Sequence, residues 1–295
     1  AARGQRLAIC DGDGQHDLQQ LPRLLALMDE GAELAAASRY IDGETGLTGA
    51  RDTMSRLATR ATTSLLIGGL TDPMSGFFVM SRAAYEAARP RLSGVGFKIL
   101  VDVVASSPRR LTLREAPAVL RAREHGTSKL DLRVIADLGA LLVEKKTNGL
   151  IPVRLAMFGA VGVSGVAVHM ATLSLLHLAG PFALAQAGAI LVAMSWNFWI
   201  NNILTFRDVR LKGAAMWKGL LSFYVACLGG GLISEGLATL LHNEGFGWMA
   251  AGASGALAAG LWNYYASRRA TWGVGKPARA PANAMAAPEP LTTND

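Results

Sequence analysis

The sequence is short of charge. Asp, Glu, Lys and Arg make up 17% of its 295 residues, where soluble domains carry about 25%. That deficit excludes a chain that is water-soluble throughout, and it is one-sided. Residues 1–150 hold 20 Lys/Arg and 17 Asp/Glu, whereas residues 151–295 hold nine and five. Cysteine is scarcer still: Cys10 and Cys227 lie far apart, which excludes a disulfide framework and a cysteine-based metal site. The first residue is Ala and no secretory signal peptide is visible. Acidic residues are fewer than basic ones, giving a net charge of +7. The basic residues of the second half flank apolar segments, so the excess points to a membrane surface and not to nucleic acid.

Four long apolar runs follow residue 150: Leu155–Ala179, Phe182–Leu204, Gly219–Leu241 and Gly247–Ala266. Each is near or above the roughly 20 residues that cross a bilayer as a helix. Nine Lys/Arg, among them Lys145, Lys146, Arg154, Arg207 and Arg268, lie in the connections on one side of these runs. The connections at Gly180–Pro181 and His242–Phe246 have none. By the positive-inside bias, four spans place both termini in the cytoplasm. Trp217, Trp248, Trp262, Tyr264, Tyr265 and Trp272 sit near span ends, as interfacial aromatics do. Asn197, Asn201, Asn202 and Asn263 read as interhelical hydrogen-bonding groups, and the many glycines as sites of close helix approach. Glu235 is the one carboxylate well inside a run, which gives it a snorkelling or a bundle-facing role.

The first half alternates apolar strands with helical stretches, the pattern of an α/β layer. Arg6–Cys10 reads as the end of a buried strand that runs into Asp-Gly-Asp-Gly-Gln-His-Asp at residues 11–17. Asp11 and Asp13, one residue apart at a strand mouth, suit a hard divalent cation such as Mg²⁺ or Mn²⁺, with Gln15 as a further oxygen ligand. Leu18–Glu33 has helical periodicity, and Leu34–Ser38 is a second short strand leading to Arg39. Met54–Leu70 and Leu132–Val143 are amphipathic, suited to a membrane interface. Asp72–Arg82 (DPMSGFFVMSR) gives a turn and then a strand, Gly96–Ala105 a helix, and Arg114–Arg123 a strand ending in REHGTSKL at Arg123–Leu130.

The aspartate pair, the DPMSGFF stretch and the R-x-x-G-x-S-K-L stretch occur in this order ahead of a basic juxtamembrane segment. In this the chain resembles the dolichol-phosphate mannose synthase group of family 2 glycosyltransferases, in the membrane-bound form whose catalytic domain is followed by a GtrA-like bundle of four spans. The resemblance covers residues from about 6 to 272. It implies a partial GT-A, Rossmann-like α/β domain over residues 1–148, an all-α four-span domain over 149–272 and a disordered tail over 273–295. It implies that Asp11, Asp13 and Gln15 hold the metal on a donor diphosphate, with Gly12 and Gly14 replacing the family's usual residues. It places Arg39, Arg56 and Arg123, with Ser128 and Lys129, around the donor and acceptor phosphates, where a planar and permanent charge suits the ligand. Among these Arg123, with Asp11 and Asp13, carries the catalytic role. Asp72, Ser75 and Gly76 face the donor sugar. Neither His16 nor His125 receives a catalytic role.

The reaction so implied is an inverting transfer of a hexose from a nucleotide sugar to a polyprenyl phosphate in the bilayer. GDP-mannose is the family's default donor and UDP-glucose its rival. No nucleic acid takes part, and homo-oligomerisation is left open. Only ten residues precede Asp11, so the nucleotide-recognising half of the family's sheet is expected outside this chain, and the 295 residues by themselves are expected to transfer no sugar. Two other readings stand beside the enzyme: a non-catalytic GtrA-like protein that moves or docks lipid-linked sugars, and, on Glu235 alone, an ion-coupled transporter. Composition fits a bacterial inner-membrane protein.

Overall fold

The computed structural model describes residues 3–12, 14–41, 62, 69–93, 99–118 and 132–274. The chain falls into two compact units, residues 1–160 and 161–295.

The first unit is built on a four-stranded mixed sheet. Its strands are β1 (Arg6–Cys10), β2 (Leu34–Ser38), β3 (Phe77–Ser81) and β4 (Leu113–Pro117), in the order β1-β3-β2-β4. β3 runs antiparallel to both neighbours, and β2 pairs in parallel with β4. Helix α1 (Leu21–Asp29) covers one face. Pro22 in its first turn pre-sets the backbone, and Leu21, Leu24, Leu25 and Met28 repeat at helical spacing. Leu24 and Met28 bury against Ala35 and Ala37 of β2, Phe77 and Val79 of β3, and Ala116 of β4. These partners alternate along their strands, as one face of a pleated sheet requires. The helix ends where Gly31 takes φ +96°, a conformation glycine adopts without strain.

One expectation fails here. β1 is not a buried strand: its residues alternate between exposed and half-buried, because its only partner among the described residues is β3. Alternating Leu7 and Ile9 cover one face and leave the other to solvent.

Helix α2 (Arg82–Ala88) follows β3 directly, capped by the Ser81 hydroxyl, which accepts the Ala84 N–H at 3.1 Å. Helices α3 (Ile99–Ser106) and α4 (Leu132–Lys146) pack together through a buried ion pair. Lys145 Nζ lies 2.7 Å from Asp102 Oδ1 and donates to Arg91 O and Ser106 Oγ. Asp102 also accepts the Ser93 N–H and hydroxyl. The Lys145 side chain is only 7% exposed. Counted as a cytoplasmic surface charge in the sequence, it is instead spent inside the protein. The adjacent Glu144 accepts the Val153 N–H at 2.7 Å and so caps the next helix, α5.

The second unit is helical. Its elements are α5 (Val153–His177), which begins in the first unit, α6 (Phe182–Ile203), α7 (Ala214–Asn243) and α8 (Trp248–Ala270). The first three are long and apolar enough to cross a membrane. α8 has 23 residues and a less apolar sequence, and it packs along α7. Large side chains such as Val163, Leu178, Leu228, Leu232 and Leu257 are mostly exposed, a surface suited to lipid and not to water.

Small residues set the helix contacts. A Cβ on Gly165 would overlap the Asn197 amide, and one on Gly230 would overlap the Asn263 amide. Trp196 donates to Ser164 Oγ at 3.0 Å, and Trp262 to Ala226 O at 3.1 Å. The two helical hairpins therefore reuse one lock, Trp196-Asn197-Phe198 and Trp262-Asn263-Tyr264, in which an asparagine lies over a glycine of the preceding helix. The expected interhelical hydrogen bonds do not form at these two positions: Asn197 Oδ1 and Asn263 Oδ1 are buried with no hydrogen-bond partner among the described residues. Asn201 bonds within its own helix and to Thr205. Asn202 ties the α6–α7 connection by exchanging two bonds with the Leu211 backbone, and it also accepts from Trp272 Nε1 at 3.1 Å. Trp272, read as interfacial, is buried, stacked on Phe206 at 4.1 Å. Glu235 lies on an exposed face of α7, not a bundle-facing one, with Thr239 donating to it at 3.4 Å.

Candidate active site

Strand directions gather the motif residues. β1, β2 and β4 all point the same way, and β3 runs against them. The carboxyl ends of β1, β2 and β4 and the entry to β3 therefore share one edge of the sheet. Asp11 follows β1, Arg39 follows β2, and Asp72–Gly76 precedes β3. β4 ends at the same edge. This is the edge at which α/β sheets bind ligands.

Asp11 extends the β1–β3 ladder by one step, its N–H donating to Gly76 O at 2.9 Å. Its side chain then crosses the face of Gly76. A Cβ on Gly76 would lie less than 3.0 Å from Oδ2 and Cγ of Asp11, and 3.1 Å from its Cβ. The glycine read as room for a sugar is thus room for the Asp11 carboxylate. Asp11 itself is exposed and Gln15 half-buried, an oxygen-donor chemistry that fits a hard cation. Behind this loop the His16 ring packs 5.8 Å from Phe77. Asp13, the second carboxylate of the pair, lies outside the described residues. Among those described, no three acidic, His or Cys groups cluster as a metal-binding set.

Arg39 and Asp72 form a bidentate pair. Arg39 Nε donates to Asp72 Oδ2 at 2.6 Å and Nη2 to Oδ1 at 2.7 Å, and the Arg39 backbone N–H lies 3.3 Å from Oδ2. Asp72 is wholly buried, while the Arg39 side chain keeps 16% exposure. Burial works against the Arg39 charge, but the hydrogen bonds and charge of Asp72 outweigh it and hold its pKa above the ordinary value. The pair uses two of the five guanidinium N–H groups, leaving three for another oxyanion. Tyr40 lies beneath, its ring centre 5.5 Å from Arg39 Cζ.

Asp72 and Ser75 thus do other work than the sequence suggests. Both Asp72 oxygens go to Arg39, not to a sugar hydroxyl. Ser75 is buried, its hydroxyl exchanging bonds of 3.2 Å with the Phe77 carbonyl and N–H, and its own N–H donating to Asp72 O at 3.1 Å. It shapes the turn that delivers Gly76 to Asp11. Arg56, Arg123, Ser128 and Lys129 lie outside the described residues.

One residue of this edge escaped the sequence reading. Glu115 on β4 accepts the N–H groups of Thr71 at 2.7 Å and Asp72 at 3.0 Å. Its only sequence signal is a carboxylate next to Arg114 in a short strand, eight residues before Arg123.

Comparison with known proteins matches the two halves of the chain to two families. Residues 1–88 match glycosyl transferase family 2, and residues 157–272 match the GtrA/DPMS transmembrane domain. A dolichol-phosphate mannosyltransferase of Pyrococcus furiosus is 28% identical over 281 residues, covering 92% of this chain and 77% of that protein. The enzymes of the same name from Mycosarcoma maydis and Saccharomyces cerevisiae are 32% and 33% identical over 148 and 143 residues. Those alignments take in 48% and 45% of this chain, which spans about half the length of each fungal relative. The chain therefore carries a glycosyltransferase family 2 domain joined to a GtrA/DPMS transmembrane domain.

Proposed function

We propose that the protein is a polyprenyl-phosphate mannosyltransferase of the membrane, taking mannose from GDP-mannose. The observation that carries this reading is the single sheet edge, where Asp11 at the end of β1 and the Arg39–Asp72 pair at the end of β2 come together. The names of four relatives, mannosyltransferases or mannose synthases of dolichol phosphate or polyprenol, support the same acceptor and sugar.

The acceptor is a phosphate monoester whose oxygen is already an anion, so the reaction needs no strong general base. It needs cations that hold two phosphate groups close to each other. Arg39, oriented by Asp72, supplies one such cation, and Arg56, Arg123 and Lys129 supply the others. Ser128 adds a hydroxyl contact. The acceptor oxygen attacks the anomeric carbon from the face opposite the diphosphate, and configuration inverts. Asp11, Asp13 and Gln15 would hold Mg²⁺ or Mn²⁺ at the Gly76 cradle. When bound, such an ion supplies positive charge to the departing diphosphate. Four membrane spans with cytoplasmic termini keep the sheet edge where nucleotide sugars are made.

The test incubates the full-length gene product with radiolabelled GDP-mannose or UDP-glucose, a polyprenyl phosphate and Mn²⁺. Label from GDP-mannose in the lipid fraction is the expected result. Transfer from UDP-glucose alone would move the assignment to a glucosyltransferase. No transfer from either donor would favour the non-catalytic reading.

A further inference from the structure

The structure assigns Glu115 a role beyond its strand: it is a positioning residue that sets the Arg39 guanidinium through Asp72. The inference rests on the proposed function only for what Arg39 binds.

Three links carry it. Glu115 sits on β4 opposite Ala36 of β2, and its two oxygens accept consecutive backbone N–H groups, Oε2 from Thr71 at 2.7 Å and Oε1 from Asp72 at 3.0 Å. Two bonds from one carboxylate to adjacent amides fix the plane of the intervening peptide. That peptide carries the Asp72 side chain, which is wholly buried and has both oxygens on Arg39. Thr71 adds a tether to the same place: its hydroxyl lies 2.6 Å from Ser38 Oγ, which accepts the Tyr40 N–H at 3.3 Å. The residues on either side of Arg39 are therefore held by the segment that Glu115 clamps.

The arrangement has a cost that a purely structural link would avoid. Glu115 and Asp72 are like charges, Glu115 accepting from the backbone N–H of Asp72 itself, with Arg39 the one cation hydrogen-bonded to Asp72 among the described residues. A carboxylate gives each of the two N–H groups its own oxygen, whereas a carboxamide has a single acceptor oxygen for both and, in the same two-point geometry, would turn its N–H₂ toward one of them. The substrate consequence falls on phosphate held by Arg39: three N–H groups of the guanidinium remain for it, and their direction is set by the two that Asp72 takes.

The experiment compares Glu115→Gln with wild type in the full-length protein, using a short-chain polyprenyl phosphate and GDP-mannose as probes. The expected result is a KM raised about tenfold for the phosphate substrate that Arg39 holds, lipid phosphate or GDP-mannose, the ratio carried by a lost charge-assisted hydrogen bond, with the KM for the other changed less than twofold. In an Arg39→Ala background the same substitution is expected to add nothing, because the relay then has no end. Asp72→Asn, which keeps the amides that Glu115 binds, is expected to reproduce the rise in KM and serves where Glu115→Gln does not accumulate folded. Hydrogen exchange at the Thr71 and Asp72 amides, read without activity, is expected to quicken in Glu115→Gln. An unchanged KM for both substrates, an equal loss in the Arg39→Ala background, or unchanged amide exchange would each overturn the relay. A wild-type protein with no transferase activity sinks the functional reading instead, and amide exchange then decides the Glu115 clamp.

Discussion

Gly76→Ala probes the juncture of fold and chemistry. The new Cβ would fall less than 3.0 Å from Oδ2 and Cγ of Asp11, closer than any folded protein sustains. The overlap has two ways to relax. Strands β1 and β3 could part at the 2.9 Å bond from Asp11 N to Gly76 O, an overpacking response that costs about 1–3 kcal/mol on top of the weakened bond. Alternatively the Asp11 side chain could turn away. Asp11 is exposed, so turning it costs about 0.5–1.5 kcal/mol, and the 3.1 Å contact with its Cβ that remains needs a shift of only a few tenths of an ångström. The second route wins. Stability should fall by no more than about 1.5 kcal/mol, while the carboxylate leaves the place from which it would hold a cation. The assay is a pair of titrations: chemical denaturation for stability, and Mn²⁺ dependence of sugar transfer, or Mn²⁺ binding followed by electron paramagnetic resonance. The Mn²⁺ midpoint should rise at least tenfold, about 1.4 kcal/mol, roughly what the stability loses. A second arm uses Asp11→Ala, which removes the clashing atoms beyond Cβ. In that background Gly76→Ala should destabilise much less, because the two residues couple. An unchanged Mn²⁺ midpoint, or an equal loss of stability with and without the Asp11 carboxylate, would refute the reasoning.

Three further outcomes follow from the packing. Lys145→Met strands the buried Asp102 carboxylate and should cost about 3–5 kcal/mol in denaturation, whereas Lys146→Met, at an exposed position, should change stability by under about 0.5 kcal/mol. Gly255→Ala places a Cβ 2.5 Å from the Ser234 carbonyl and should loosen the α7–α8 hairpin, measured as a lower melting temperature in detergent. Gly252→Ala on the same helix meets nothing within 4 Å and should be neutral or stabilising, since alanine is the better helix former. Glu33 accepts two bonds from Arg109 and is held below its ordinary pKa, first by those bonds, with the Thr112 N–H and the Arg109 charge adding to them against desolvation. A depressed carboxylate stabilises above its unfolded value and loses that contribution as pH falls through the folded one. Arg109→Ala should therefore lower the melting temperature at pH 7 and lose that effect well below pH 4.5, and an equal effect at both pH values would contradict it.

Much of the fold was legible because local pattern and global structure agree. The Leu21, Leu24, Leu25, Met28 spacing marked α1, and short apolar runs marked β2 and β3. Length and apolarity marked the four long helices. Other features were hidden because they depend on partners distant in sequence. Lys145 and Asp102 are 43 positions apart and read as two unrelated charges until α3 and α4 pack. Trp272 carries the composition of an interfacial anchor, yet Phe198, Phe206 and Asn202 enclose it. The burial of β1 was misjudged because apolarity does not reveal whether a strand is central or at an edge.

The site divides along the same line. The sequence by itself determined which chemistry is present: a carboxylate pair beside a strand, arginines suited to phosphate, and a charge-poor half that needs lipid around it. These follow from side-chain type and local spacing, which need no partner. Only the tertiary structure decided what each group is free to do. Strand directions bring Asp11, Arg39 and Asp72 to one edge across gaps of 28 and 33 residues. Once there, Asp72 is claimed by Arg39, Gly76 makes room for Asp11, and Glu115 joins the site through backbone amides. A hydrogen-bonding group has few lone pairs and protons, and long-range packing settles which neighbours take them.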